Sequence, residues 1–233
     1  MVVGPHPDDF DANGVTLRYM HERGAVMRVV VVRGGSGVED SYRPPGGDCF
    51  VSGTSSRNTG AMPLEVKARI RECEQRESLR FFRLADDVVQ FLEMELDEHQ
   101  QPLENMANRN LLAEAILPFE PDIVMLPHGN DTNQGHRVMF ALTRCVLSGA
   151  ASRTTMLLSR DPKTIGMRTD AYMPFGKEEA EWKAKLLLFH DSQHQRNLNT
   201  RGHGFDERIL AGNREFAREL GIEAEYAEAF EVL

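Results

Sequence analysis

The sequence predicts an α/β protein with a doubly wound, mostly parallel, Rossmann-like sheet and helices on both faces. Short apolar runs alternate with helix-length segments along the chain, which is the order of βαβ units. The runs around Met1–Val3, Val26–Val32 and Asp122–Leu126 are almost continuously apolar, as strands buried on both faces must be. No repeat or low-complexity tract competes with this reading.

The elements follow in order. Met1–Val3 opens the first strand, which breaks at Gly4-Pro5, and a helix is expected to start near Asp8. Residues 13–23 form a helix stopped by Gly24, and Val26–Val32 the second strand. Residues 34–63 hold Gly-Gly-Ser-Gly, Pro-Pro-Gly-Gly and Ser-Gly-Thr-Ser-Ser, so a long loop is expected there. It leaves the sheet after a parallel strand, and residues 36–63 are expected to act as a mobile flap that helps select substrate. Residues 64–83 are a charged helix and Asp87–Leu92 a short strand. Residues 104–117 are a helix, Asp122–Leu126 a strand, 135–149 a helix and Thr154–Leu158 a strand. Helices at about 176–191 and 203–220 precede a last strand, Tyr226–Leu233.

At 233 residues, the chain is read as one domain, 1–233. Its net charge of −9 argues against nucleic acid and anionic membrane as partners. No apolar run has transmembrane length and no signal peptide is seen. Cys49, Cys73 and Cys145 form neither a disulfide framework nor a C-x-x-C pattern, so a reduced, cytoplasmic protein is expected. The chain opens almost inside its first strand, which suggests that residues precede it. A homo-oligomer is compatible with all of this.

His6-Pro7-Asp8-Asp9 is the stretch that points to chemistry. It follows a strand, where open α/β sheets place their ligands. Histidine nitrogen and aspartate oxygen bind zinc. If His6 and Asp9 are ligands, Asp8 is left as a free carboxylate beside the metal. A metal that activates water and a carboxylate that takes its proton are the minimum equipment for hydrolysis. The competing reading is an acidic helix cap. A metal site needs a third ligand, and the turn Pro127-His128-Gly129-Asn130-Asp131-Thr132-Asn133-Gln134-Gly135-His136 offers one on the same sheet edge. His136, at the helix start, is the expected third ligand, with His128, nearer the strand end, as the alternative. Two histidines and a carboxylate also suit Fe(II) or another divalent metal. Gly34-Gly35-Ser36-Gly37 lacks the Lys-Ser/Thr of a P-loop and reads as a plain turn. The charges around Arg69, Arg71, Glu72, Glu74 and Glu77 read mostly as a solvated helix face.

These motifs together resemble the N-acetylglucosaminyl-phosphatidylinositol de-N-acetylase family (PIG-L, or LmbE-like). The resemblance rests on His6-Pro7-Asp8-Asp9 and on Pro-His-x-x-Asp-x-Asn-x-x-His ending at His136. The helix start Gly14–Leu17, Arg71-x-x-Glu74-x-x-x-Ser78, and Lys185 through His190-x-Ser192-Gln193 add to it. It implies zinc held by His6, Asp9 and His136, with Asp8 as general base. It makes Arg71, His128, Asp131 and Asn133 candidates for contacting substrate or the oxyanion. Two departures stand out. Phe10-Asp11 follow the paired aspartates where the family often has Glu. Asn133-Gln134-Gly135-His136 stands where many members have His-Pro-Asp-His, which leaves the oxyanion partner open between Asn133 and His128.

The expected function is a metal-dependent hydrolase that removes acetyl from an N-acetylated sugar or a similar small amide. The alternatives are an amidase of the same fold acting on a thiol conjugate or antibiotic precursor, and a non-catalytic sugar- or metal-binding protein. A nucleotide-binding oxidoreductase is disfavoured, because Pro5-His6 occupies the place of its Gly-rich turn.

Overall fold

Val29–Val32 forms strand β2, with every side chain buried, Val29 and Val31 against one face and Val30 and Val32 against the other. β-branched residues favour the extended backbone and pack well on both sides of a covered sheet. Around it lie β1 (Val2–Gly4), β3 (Val89–Leu92), β4 (Ile123–Pro127), β5 (Thr155–Ser159), β6 (Ala171–Phe175) and β7 (Tyr226–Val232). Their order is β3-β2-β1-β4-β5-β7-β6. The first five are parallel, while β7 runs antiparallel to both β5 and β6. The computed structural model describes residues 1–44, 61–150 and 153–233.

Eight α-helices are seen among the described residues: α1 (Asp8–Asp11), α2 (Gly14–Glu22), α3 (Leu64–Phe82), α4 (Met106–Ile116), α5 (Gln134–Ser148), α6 (Lys177–Leu187), α7 (Asp191–Arg201) and α8 (Phe205–Leu220). α4 and α5 bury Leu112, Ile116, Met139 and Leu142 against one face of the sheet. α2, α3 and α6 bury Leu17, Leu79, Phe82 and Leu186 against the other. The expected doubly wound, mostly parallel architecture is therefore present. No described helix is long and apolar enough to cross a membrane.

Several expectations need correction. α7 lies in the stretch between the two late helices, where no element was expected, and β6 is an additional strand. β2 begins at Val29, and Val26 is exposed. Cys145 is free, but Cys73 is disulfide-bonded, so the cysteines are not all reduced. The long loop is described only at its ends, where Val38 and Tyr42 are buried beside Ile70. Residues 45–60, on which most of the expected flap falls, lie outside the described residues.

A buried ion pair ties the antiparallel edge to the rest. Lys183 on α6 is fully buried and donates to Glu228 Oε1 at 2.6 Å, Asn213 Oδ1 at 2.8 Å and the Ala12 carbonyl at 2.6 Å. Glu228 on β7 also accepts from the Val15 and Thr16 backbone N–H groups and the Thr16 hydroxyl. Burial pulls the Lys183 ammonium below its usual range while Glu228 pulls it back up. Such a pair adds little over an apolar substitute, but breaking it strands a buried charge. Lys183→Met is accordingly expected to lower unfolding free energy by about 3–5 kcal/mol in urea denaturation. A loss below about 1 kcal/mol would show that Glu228 is not held by this lysine.

Candidate metal centre

Pro5 ends β1 after Gly4, and the chain turns at once into the short helix α1. The turn depends on glycine. A Cβ at Gly4 would sit 2.7 Å from Asp9 Oδ2 and 2.9 Å from Asp9 Cβ, closer than real contacts allow. Asp9 is thereby folded back on the strand end, where its Oδ2 accepts the His6 backbone N–H at 2.9 Å. His6 Nδ1 lies 3.6 Å from the same oxygen. The aspartates do not cap α1.

The second turn follows β4, the neighbour of β1 in the sheet. Asn133 caps α5, its side-chain oxygen accepting from Gly135 N–H at 2.9 Å. Asp131 Oδ1 accepts the Asn133 N–H at 2.6 Å. These contacts set the first turn of α5, and His136 projects from it toward β1. His136 Nε2 lies 3.3 Å from Asp9 Oδ1, and its Nδ1 3.1 Å from Asp131 Oδ2. Asp131 thus stands behind the imidazole, the arrangement that orients metal-binding histidines through their outer nitrogen. Gly135 leaves room for Gln101, whose Oε1 accepts the Gly135 N–H at 3.0 Å and would lie 2.7 Å from any Cβ there. Gln101 reaches in from outside both motifs, so no spacing signal announced it.

Ligand atoms of His6, Asp9 and His136 all lie within 4.8 Å of one another. Asp8 stands next to them and pairs with Arg71 Nη2. Burial works most strongly, to raise the Asp8 carboxyl, but Arg71 together with His190 and His6 outweighs it and holds the group at about 2. Arg71 was a candidate for touching substrate. It is instead 2% exposed, with Nη1 3.7 Å from Glu74 Oε2, and bears on the site through Asp8. Glu74 in turn accepts the Ser192 N–H at 2.6 Å and its hydroxyl at 2.9 Å, which anchors the start of α7. Arg71 and Glu74 therefore do not belong to the solvated face expected of α3.

Beneath this lies a second buried pair. His190 Nε2 meets Asp11 Oδ2, which also accepts from the Ser78 hydroxyl at 2.9 Å. Burial drives the Asp11 carboxyl up against the pull of His190. His190 is raised too, Asp11 overcoming the desolvation of its cation. Asp11 stands three residues after Asp8, in the Phe10-Asp11 pair that departs from the Glu the resemblance led one to expect shortly after the paired aspartates. The buried lysine nearby is Lys183; Lys185, singled out from the sequence, is exposed. His128 is not brought into the cluster. Its Nδ1 accepts the Asn130 N–H at 2.9 Å, its Nε2 lies 3.3 Å from Glu231 Oε2, and its ring stacks on Phe140. It does not line the cleft of about 330 Å³ onto which His6, Asp8, Asp9 and His136 open.

The donor set fits a divalent cation. Asp9 and Asp131 flank His136, and although burial disfavours its cation, they push the imidazole up to about 10. Burial likewise opposes the Asp9 charge, yet His136 and His6 hold that carboxyl far below its usual range. The cluster demands a positive charge, which a proton or a metal ion can supply. Two imidazoles and one carboxylate are ordinary ligands for zinc or iron(II).

Comparison with known proteins agrees with this architecture. The family model for GlcNAc-PI de-N-acetylase (PIG-L) matches residues 1–147. Curated proteins give no significant match. Among solved structures, the N,N'-diacetylchitobiose deacetylase from Pyrococcus horikoshii superposes with a TM-score of 0.69 at 17% identity, covering 100% of this chain and 82% of that one. The zinc-inhibited form of teicoplanin deacetylase Orf2 gives 0.65 at 15%, covering 100% and 97%. GalB, the 4-carboxy-2-hydroxymuconate hydratase from Pseudomonas putida KT2440, gives 0.66 at 16%, covering 100% and 94%. At these identities the likeness is one of fold, and this fold carries more than one reaction.

The charge demand makes a prediction about stability. In the metal-free protein His136 titrates near 10 rather than at its ordinary value of 6.5. A raised folded-state value stabilises fully below the unfolded value and fades as pH rises toward about 10. Bound metal replaces that proton. The gain in Tm on adding zinc is therefore expected to grow from pH 6 to pH 9, measured by calorimetry with and without chelator. An equal gain at both pH values would place the metal away from His136.

Proposed function

The chain belongs to the GlcNAc-PI de-N-acetylase (PIG-L) family, and from that membership we propose that it is a divalent-metal-dependent hydrolase that removes the acetyl group from a small N-acylated molecule, an N-acetylated sugar or similar amide. One observation carries this reading: three ligand atoms from two adjacent turns converge beside a carboxylate that a buried arginine keeps ionised. A cation held by His6, Asp9 and His136 supplies Lewis acidity, polarising the amide carbonyl and lowering the pKa of water to roughly 7 if the metal is zinc.

The remaining steps belong to the chain's own residues. Asp8 accepts the proton of the attacking water. With its carboxyl held at about 2 it is ionised at any physiological pH, and it is a weaker base than a free carboxylate. It therefore works on water that is already acidified. Protonated Asp8 then returns the proton to the departing amine. Asn133 has its oxygen committed to capping α5, and its amide N–H groups are the donors for the developing oxyanion. Asp131 positions His136, and Arg71 positions Asp8.

Two variants test this. Asp8→Asn is expected to keep the metal, by elemental analysis, and to lose roughly 10²–10⁴-fold in acetate release. An unchanged rate removes the base role, and loss of the metal makes Asp8 a ligand. His136→Ala is expected to strip the metal together with the activity; retention of both overturns the ligand assignment.

A further inference from the structure

The cleft is lopsided in charge. On α7, Gln193, Arg196, Asn197, Thr200 and Arg201 all line it. They fall at i, i+3, i+4, i+7 and i+8, one face of a helix. A stripe with that spacing ordinarily carries the apolar residues that hold a helix to its core. Here it is entirely polar and faces the cleft. Lys163, on the loop after β5, lines the cleft as well.

The acids of the cleft are already matched. Asp8 pairs with Arg71. Asp9 faces His136 and the cation position. Asp161 Oδ2 lies 4.0 Å from Arg208 Nη2, and its Oδ1 accepts the Lys163 backbone N–H. Among the described residues, no carboxylate lies within ion-pairing distance of Arg196, Arg201 or the Lys163 ammonium. An acidic protein thus leaves two arginines without a carboxylate partner, and a lysine under only the longer-range pull of Asp131, around the cleft that holds its candidate metal centre. At physiological salt, screening acts over about 8 Å, so these local charges outweigh the distant net charge of the chain.

We infer that Arg196 and Arg201, with Lys163, bind an anionic group on the substrate, a carboxylate or a phosphate carried by the same molecule as the amide. The inference rests on the deacetylase reading for where the amide sits, and it adds the chemical class of what is attached. Guanidinium groups suit this role, because their fixed donors match the paired oxygens of both anions. Polar neighbours on the same face, Asn197 and Thr200, suit an oxygen-rich scaffold between the two ends.

The test is calorimetric titration of the zinc-loaded protein with N-acetylglucosamine, N-acetylglucosamine 6-phosphate and N-acetylmuramic acid. At least one charged sugar is expected to bind at least tenfold more tightly than the neutral one at low salt, with the margin shrinking in concentrated salt. Preference for the 6-phosphate identifies the anion as phosphate, and preference for the muramic acid identifies it as carboxylate. In Arg196→Gln/Arg201→Gln the margin should fall to about twofold or less while the neutral sugar binds as before. Lys163→Gln gives the same reading in a second variant if the double one fails to fold. Equal binding of all three sugars, a margin that survives charge removal, or no measurable binding of either acidic sugar overturns the inference. Acetate release is followed on the same samples. A charged sugar held tightly but never hydrolysed sinks the deacetylase reading alone, whereas hydrolysis without charge preference sinks only the anion site.

Discussion

The geometry of the site follows from β1 and β4 being neighbours. The chain winds from β1 outward through β2 to β3, then returns to place β4 on the other side of β1. Successive turns therefore leave in opposite directions at this one point, and a crevice opens between them. His6 and Asp9 come from one lip and His136 from the other. Met125 N–H donates to the Met1 carbonyl at 2.9 Å, so the two strands that carry the lips are tied together by sheet hydrogen bonding behind the chemistry. Neither turn alone can hold a metal, and moving either strand would separate the donors.

What stands behind the crevice is unusual for a core. Arg71, Glu74, Gln75 and Ser78 fall on one face of α3 and are all buried. They meet Asp8, Asp11, His190 and Ser192 in a layer of paired charges and hydrogen bonds. Burial of each charge is costly, and each is matched by a partner within contact. The layer joins α1, α3 and the start of α7, so the carboxylate beside the cation position and the helix that walls the cleft share one support. A fixed charge on Asp8 beside the candidate cation position is what that arrangement secures.

Much of this was legible in the residues. The apolar runs identified the parallel strands, and the His-Pro-Asp-Asp turn with the histidine at the next strand end identified the donors that converge. The misses have physical causes. α7 was invisible because its cleft-facing stripe is polar, so it carries no hydrophobic period. β6 was missed because Pro174 interrupts a five-residue edge strand, where a missing donor is tolerated. Arg71 and Glu74 looked solvated because sequence spacing shows which charges share a helix face and not whether that face is covered. Lys185 drew attention in place of Lys183, since choosing between two lysines on α6 requires knowing which side meets Glu228. Gln101 lies in a segment with no motif, and only the space left by Gly135 gives it a role.

The central claim is that two adjacent strand ends form one cation site. Anomalous scattering from a zinc-soaked crystal tests it most directly. The account predicts a strong peak about 2.0–2.2 Å from His6, Asp9 and His136, with Asp8 beside it and not bound to it. A peak between His128 and Glu231, or none at the triad, would contradict the account.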